Sequence, residues 1–351
     1  MQRKKKTHTR LQCIKSGNPL STKISKLENQ IHSIATKLKS LSFNKLEEKE
    51  KNAIKKIRSK PKYFYSYAKK LSKTKQTISQ LFDSKGNLQS ERKRVADILQ
   101  DQFVSSFSNP DNPEIKMPSL LKPSRELPDI TFAKQDLLNA IEEVNENSSC
   151  PDYCIPAIVL KRCKKSIVEP LFLMWQESFQ VGIIPACYKD QLVTPVYKKG
   201  SRSTAANYRP ISLTAHEVKV FERVIRDKVV QFLESNFLLS LKQHGFRKGR
   251  SCLTQLLKQY DDILLNLLNN EETDVIYLDF AKAFDKVDHN ILIRKLQNIG
   301  ITGKLCNWIN NFLTNRNQFV VGGGLLSYIV KVSSGVQRGT VLGPLLFLIF
   351  C

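Results

Sequence analysis

One stretch constrains this chain more than any other: Val275-Ile276-Tyr277-Leu278-Asp279-Phe280-Ala281-Lys282-Ala283-Phe284-Asp285. Its first half is a short apolar run rich in β-branched and aromatic residues, which predicts a buried strand over residues 274–280. The strand ends in an Asp followed by a turn of small residues. A carboxylate at a strand end can hold Mg²⁺ by one oxygen while water and substrate phosphates complete the octahedron. Taken alone, an Asp that merely fixes the turn is the commoner use of such a residue.

Around that strand, helical and extended patterns alternate. Residues 131–144 carry Leu137, Leu138, Ile141 and Val144 at helical spacing behind a potential cap at Thr131, and 167–179 reads as a second helix. Residues 191–197 are β-branched and contain Pro195, which suits an edge strand because proline offers no ladder donor. Long helical patterns follow at 216–237 and 251–268, Asp288 can cap a further helix, and 319–332 reads as two strands joined at Gly322-Gly323-Gly324. The stretch 109–128 holds five prolines and little periodicity, as a linker does. The domain organisation expected is therefore a basic, mainly helical region over 1–108, a proline-rich linker over 109–130 and a main body over 131–351.

Charge separates the first of these from the rest. The chain of 351 residues carries a formal net charge of +24. Residues 1–100 hold 26 basic and 7 acidic side chains, against 30 and 25 in the remainder. Such an excess favours a polyanionic partner. A helical seam runs through Ile24, Leu27, Ile31, Ile34, Leu38 and Leu41, and lysines interleave with Tyr63, Phe64, Tyr65 and Tyr67, a pattern equally suited to stacking on bases and to burial. The solvated basic arm and the nucleic-acid groove remain alternative readings of this region. Eight cysteines lie far apart and are expected as reduced thiols. Cys150, Cys154 and Cys163 cluster, but the nearest histidine is His216, so a zinc site is not expected. The apolar run 341–351 is interrupted by Gly343 and Pro344 and is short of the ~20 residues that cross a bilayer, so no membrane partner is expected.

Four segments in order resemble the reverse transcriptases of non-LTR, LINE-type retrotransposons. The 275–285 stretch looks like the first catalytic motif. Asn207-Tyr208-Arg209-Pro210-Ile211-Ser212-Leu213, with Thr194 to Gly200 before it, looks like the fingers motif. Gln243 to Ser251 looks like the segment that follows, and Ser334-Gly335-Val336-Gln337-Arg338-Gly339-Thr340-Val341-Leu342-Gly343-Pro344 looks like the second palm motif. A single motif is a hypothesis, whereas four in the family order are specific. A group II intron type is the nearest alternative, and fits the 208–213 and 339–344 spellings less well.

The resemblance implies an α+β, right-hand polymerase fingers and partial palm, and an RNA-directed DNA polymerase that extends a DNA 3′ end on an RNA template with deoxynucleoside triphosphates and Mg²⁺. It implies that Asp279 is a catalytic, metal-binding carboxylate and that Phe284 excludes a ribose 2′-hydroxyl. It implies that Lys198 and Arg209 contact the incoming triphosphate, with Arg338 and Gly339 also on the substrate, and that Arg247, Lys248 and Arg250 contact nucleic acid. For those last three a solvated basic loop is an equal alternative. The oligomeric state is left open, and the nucleus or the cytoplasm is the expected compartment.

The chain departs from the family pattern where Gln337-Arg338 replaces Pro-Gln, and where Cys150-Pro151-Asp152 replaces Gly-Pro-Asp. Tyr260-Asp261-Asp262 spells the family's second carboxylate box, but it precedes Asp279 and sits in a helical pattern, so it is not expected to be catalytic. That box is expected after residue 351, with the palm hairpin and thumb, which makes inactivity of these 351 residues alone the expectation. A catalytically inactive, polymerase-derived nucleic-acid-binding fragment is the alternative function, and its affinity would fall steeply with salt.

Overall fold

The computed structural model describes residues 78–108, 117–151 and 154–351, together with scattered positions between 33 and 65. The chain divides into two compact units, Met1–Gln76 and Thr77–Cys351. In the first, the described residues between 44 and 55 are helical, and Lys51 pairs with Glu47 one turn back at 2.7 Å. The seam over 24–41 and most of the aromatic and lysine stretch lie outside the described residues.

The second unit is a mixed α/β body. It opens with a small hairpin, β1 (Leu81–Phe82) and β2 (Leu88–Gln89), whose turn is held by Asp83 accepting from the N–H groups of Lys85 and Asn87 at 2.9 Å each. Then come α1 (Arg92–Val104), α2 (Lys134–Glu142), α3 (Ala157–Arg162) and α4 (Lys164–Val181). Strands β3 (Asp190–Tyr197) and β4 (Tyr208–Leu213) form an antiparallel pair, followed by α5 (His216–Ser235) and α6 (Cys252–Leu268). The chain continues through α7 (His289–Asn298), α8 (Gly303–Leu313), β5 (Asn317–Gly322), β6 (Leu325–Leu326), β7 (Val330–Lys331) and α9 (Gly343–Phe350). The sheet order is β4-β3-β5-β6, with β7 also paired to β5.

Helices cover one core. Trp175 of α4 stacks on Phe221 of α5 with ring centres 4.8 Å apart, and Trp308 of α8 meets Phe221 edge-on at 5.3 Å. The Trp308 indole N–H donates to Ser178 Oγ at 3.1 Å, so burying it leaves no orphan donor there. A second cluster packs α1 residues Val95, Ile98, Leu99 and Phe103 against Val193 of β3 and Val320 of β5. The compact units meet at residues 76 and 77, and α1 buries its apolar face in the sheet of the second unit. Residues 109–116 lie outside the described residues. From 117 on the chain runs irregularly but is pinned, with the Leu127 N–H on Gly300 O and the Leu121 N–H on Asn298 Oδ1.

Two sequence expectations are overturned. β3 is not an edge strand: it lies between β4 and β5. Its proline is tolerated because β5 pairs only with Asp190 to Val193, leaving Thr194 to Tyr197 hydrogen-bonded on the β4 side alone. Residues 274–280 are not a buried strand: they form no regular element, and Tyr277 and Leu278 are 82% and 87% exposed. A strand exists only beside a neighbour that takes its N–H and C=O groups, and among the described residues no strand pairs with 274–280. Helix α6, which precedes this stretch, likewise buries none of its residues.

Candidate active site

A cleft of about 470 Å³ opens between the β3–β4 hairpin, α1, the turn that follows Asp279 and the loop before α9. The hairpin supplies its cations by register. Val196 lies opposite Arg209 and Tyr197 opposite Tyr208, and the Lys198 N–H closes on Asn207 O at 2.8 Å, so Lys198 and Arg209 leave the same end of the pair. Both side chains are exposed and both line the cleft.

The wall opposite is a clasp between two segments far apart in sequence. The Val336 N–H donates to Phe284 O at 2.9 Å, the Gly335 N–H to Val287 O at 2.7 Å, and Ser334 Oγ to Asp285 O at 2.9 Å. His289 adds a bond from its ring Nε2 to Gly335 O at 2.8 Å. Asp288 caps α7 through Ile291 N–H at 3.0 Å, so the turn is fixed from its far side too. Arg338 completes the clasp: its Nη2 lies 2.8 Å from Asp285 Oδ2, with side chains only 22% and 14% exposed. Burial pushes the Asp285 carboxyl above the ordinary carboxylate range, while Arg338 and then Lys282 pull it back.

Phe284 stands within this wall. Its ring stacks on Phe347 of α9 at 4.5 Å, meets Phe246 edge-on at 6.0 Å and lies 5.8 Å from the Arg338 guanidinium carbon. Three neighbours thus set the orientation of one bulky side chain at the cleft. Gly339 permits the loop to approach β4: its φ is +104°, a Cβ there would fall 2.6 Å from Ser212 O, and the Ser212 N–H donates to Arg338 O at 2.8 Å. Gln337 is buried, and with its amide oriented to satisfy it, the side-chain oxygen accepts from Arg316 Nη2 at 3.1 Å. Arg316 is itself anchored on the carbonyls of Phe312 and Tyr188 at 2.8 and 2.9 Å. Both residues of the Gln337-Arg338 departure therefore have charged partners inside this chain.

Asp279 lines the cleft from the exposed stretch. No group of three or more His, Cys, Asp or Glu side chains able to hold a metal occurs among the described residues. Of the two cleft carboxylates, Asp285 is engaged by Arg338, which leaves Asp279 free to take a cation. One carboxylate facing Lys198, Arg209 and Arg338 suits a hard cation that arrives on an anionic ligand and keeps most of its other oxygens from that ligand and water.

Six of the residues singled out by sequence, Asp279, Phe284, Lys198, Arg209, Arg338 and Gly339, meet at this one cleft. The remaining three do not line it. Arg247 is held by Glu234, with Nε and Nη2 at 3.0 and 2.6 Å from the two carboxylate oxygens, and by Ser240 O at 2.7 Å. Lys248 and Arg250 are exposed beside it. Tyr260, Asp261 and Asp262 lie on α6, where Lys258 bonds both carboxylates from one turn away. Sequence reading missed the α1 side of the cleft, Gln102, Phe103 and Ser106, although Val95, Leu99 and Phe103 recur every fourth residue. It also missed the partner of Arg338. No helix among the described residues is long and apolar enough to cross a membrane.

Residues 196–351 match the family described as reverse transcriptase (RNA-dependent DNA polymerase). The chain is similar to the probable RNA-directed DNA polymerase from transposon X-element of Drosophila melanogaster, 26% identical over 64% of this chain and 25% of that protein. It is also similar to the RNA-directed DNA polymerase from mobile element jockey of the same fly, 29% identical over 51% of this chain and 20% of the relative. A third relative is the Pol polyprotein of the type-1 retrotransposable element R2 of Popillia japonica, 27% identical over 47% of this chain and 23% of the relative. The matches thus span about a quarter or less of each of these longer proteins.

Proposed function

We propose, on the match of residues 196–351 to the reverse transcriptase (RNA-dependent DNA polymerase) family, that the cleft seats a deoxynucleoside triphosphate against an RNA template and the 3′ end of a DNA primer. The chain is read as the fingers and part of the palm of a non-LTR retrotransposon polymerase, with the basic residues 1–76 as an added nucleic-acid contact. The reaction joins the primer 3′-oxygen to the α-phosphorus, releases pyrophosphate and leaves the hydroxyl proton to solvent. Positioning and charge neutralisation do most of the work in such a transfer.

The resemblance suggests a role for each residue, and the cleft geometry supports those of the residues that line it. Lys198 and Arg209 neutralise the triphosphate from the hairpin end, and Arg338, braced by Asp285, does so from the opposite wall. Phe284, packed by Phe347 and Phe246, blocks the space a 2′-hydroxyl needs, while Gly339 lets the substrate come close to the backbone. Lys248 and Arg250 contact the template, and Arg247 holds their loop to α5 through Glu234. Asp279 would hold Mg²⁺, which supplies charge on the phosphate oxygens when bound. Nucleus or cytoplasm is the compartment consistent with this chemistry.

The observation that carries the proposal is the convergence of Lys198, Arg209, Arg338, Asp279 and the oriented Phe284 ring on one cleft. The test is primer extension on an RNA template with Mg²⁺ and deoxynucleotides, comparing a polypeptide extended through the second carboxylate box with its Asp279→Ala variant. Loss of extension in the variant is expected; retained extension removes Asp279 from the mechanism.

A further inference from the structure

Glu222 lies outside the cleft, wholly buried on α5. Buried carboxylates are rare unless matched by donors, and here the donors are two backbone N–H groups from a distant segment. Glu222 Oε2 accepts from Val341 N–H at 2.6 Å and from Leu342 N–H at 2.8 Å. These N–H groups stand just ahead of α9, with Leu342 as its cap residue. The other oxygen, Oε1, is buried with no hydrogen-bond partner.

The segment so held is the one that delivers Arg338 and Gly339. Within it, Thr340 Oγ1 donates to Gln337 O at 2.8 Å and accepts from Gly343 N–H at 3.1 Å, which links its two ends. Its outer side is tied to β4 by the Ser212 N–H and to the 284–287 turn by the clasp. On its inner side, Glu222 is the side chain that grips it from α5.

We propose that Glu222 is a positioning residue for the cleft, setting the height at which residues 338–342 present Arg338 and Gly339 to the nucleotide. The proposal rests on the reading of the cleft as a nucleotide site. Glu222 touches no substrate; it acts through the loop. An alanine there leaves the part-buried Val341 N–H and the buried Leu342 N–H without their acceptor, so the loop shifts or takes up water. A glutamine keeps an acceptor oxygen of the same reach.

Two measurements on Glu222→Ala and Glu222→Gln test this. The first is amide hydrogen exchange, which reads the loop without reference to activity. Glu222→Ala is expected to speed exchange at Val341 and Leu342 about tenfold beyond any change in the amides of α4, with Glu222→Gln close to wild type. The second is steady-state primer extension by a polypeptide extended through the second carboxylate box, where Glu222→Ala is expected to raise the KM for deoxynucleotide several-fold with a smaller fall in kcat, again restored by glutamine. Unchanged exchange at 341 and 342, or a loosened loop with wild-type KM, overturns the positioning role, and so does a glutamine variant as damaged as alanine. Absence of RNA-templated activity in the wild-type form of that extended polypeptide would instead overturn the nucleotide-site reading, while exchange still reports whether Glu222 holds the loop.

Discussion

Replacing Arg338 by Gln should destabilise the protein in a way that depends on pH. In the native structure the Asp285 carboxyl is 14% exposed and has the Arg338 guanidinium 2.8 Å away. Breaking such a pair by removing the cation leaves a carboxylate largely out of water, which costs roughly 3–5 kcal/mol at full burial. The residual exposure and nearby Lys282 reduce this, and about 2 kcal/mol is expected near pH 8. Burial already holds the folded carboxyl above its unfolded value, and Arg338 is the first of the influences that lower it. Without Arg338 the folded value rises further. A carboxyl raised on folding loses stability as pH climbs from the unfolded value through the folded one, so the gap between wild type and variant opens with rising pH. It should narrow toward about pH 4, as Asp285 takes up its proton in both proteins. Urea unfolding of the two proteins at about pH 4 and pH 8 reads the difference directly. Adding Asp285→Asn to the variant should recover much of the loss, because neither charge then remains. A loss equal at both pH values, or a double variant no better than the single one, would refute the reasoning.

Two further outcomes follow from particular contacts. Gly339→Ala should cost about 2 kcal/mol or more in urea unfolding, since φ is +104° and the new methyl would stand 2.6 Å from Ser212 O; a variant as stable as wild type would show that the loop does not approach β4 in this way. For Glu222, burial pushes the carboxyl up to about 7, opposed by the Leu342 and Val341 N–H groups and by Arg316 and Lys219. Relative to Glu222→Gln, the wild type should therefore lose stability as pH rises from the ordinary carboxylate range to about 7, by up to about 3 kcal/mol, and change little above it. Parallel stability curves for the two proteins would contradict that burial.

Much of the architecture is local and was legible residue by residue. The Ser251 cap of α6 accepts from Thr254 N–H at 3.2 Å and the Asp288 cap from Ile291 N–H, each satisfied within one turn of its own chain. The hairpin at Gly322-Gly323-Gly324 needs only two glycines at positive φ, 57° and 87°, and those are written in consecutive positions. The ordered motifs likewise named Asp279, Phe284, Lys198, Arg209, Arg338 and Gly339 as one chemical set before any geometry was known.

What the sequence could not supply were the partners across the fold. Pro195 suggested an edge, yet whether a strand has one neighbour or two depends on where β5 stops. The apolar run before Asp279 spelled a buried strand, yet burial requires a second strand alongside, and the run is exposed. Asp285 and Arg338 sit 53 residues apart, and Glu222 finds its two N–H donors 119 and 120 residues away. Helical period, caps and turns are encoded by neighbours along the chain, so composition and spacing decide them. Which buried charge meets which donor is decided only when the core brings distant segments within 3 Å, and Arg338 reaches the cleft wall through such meetings.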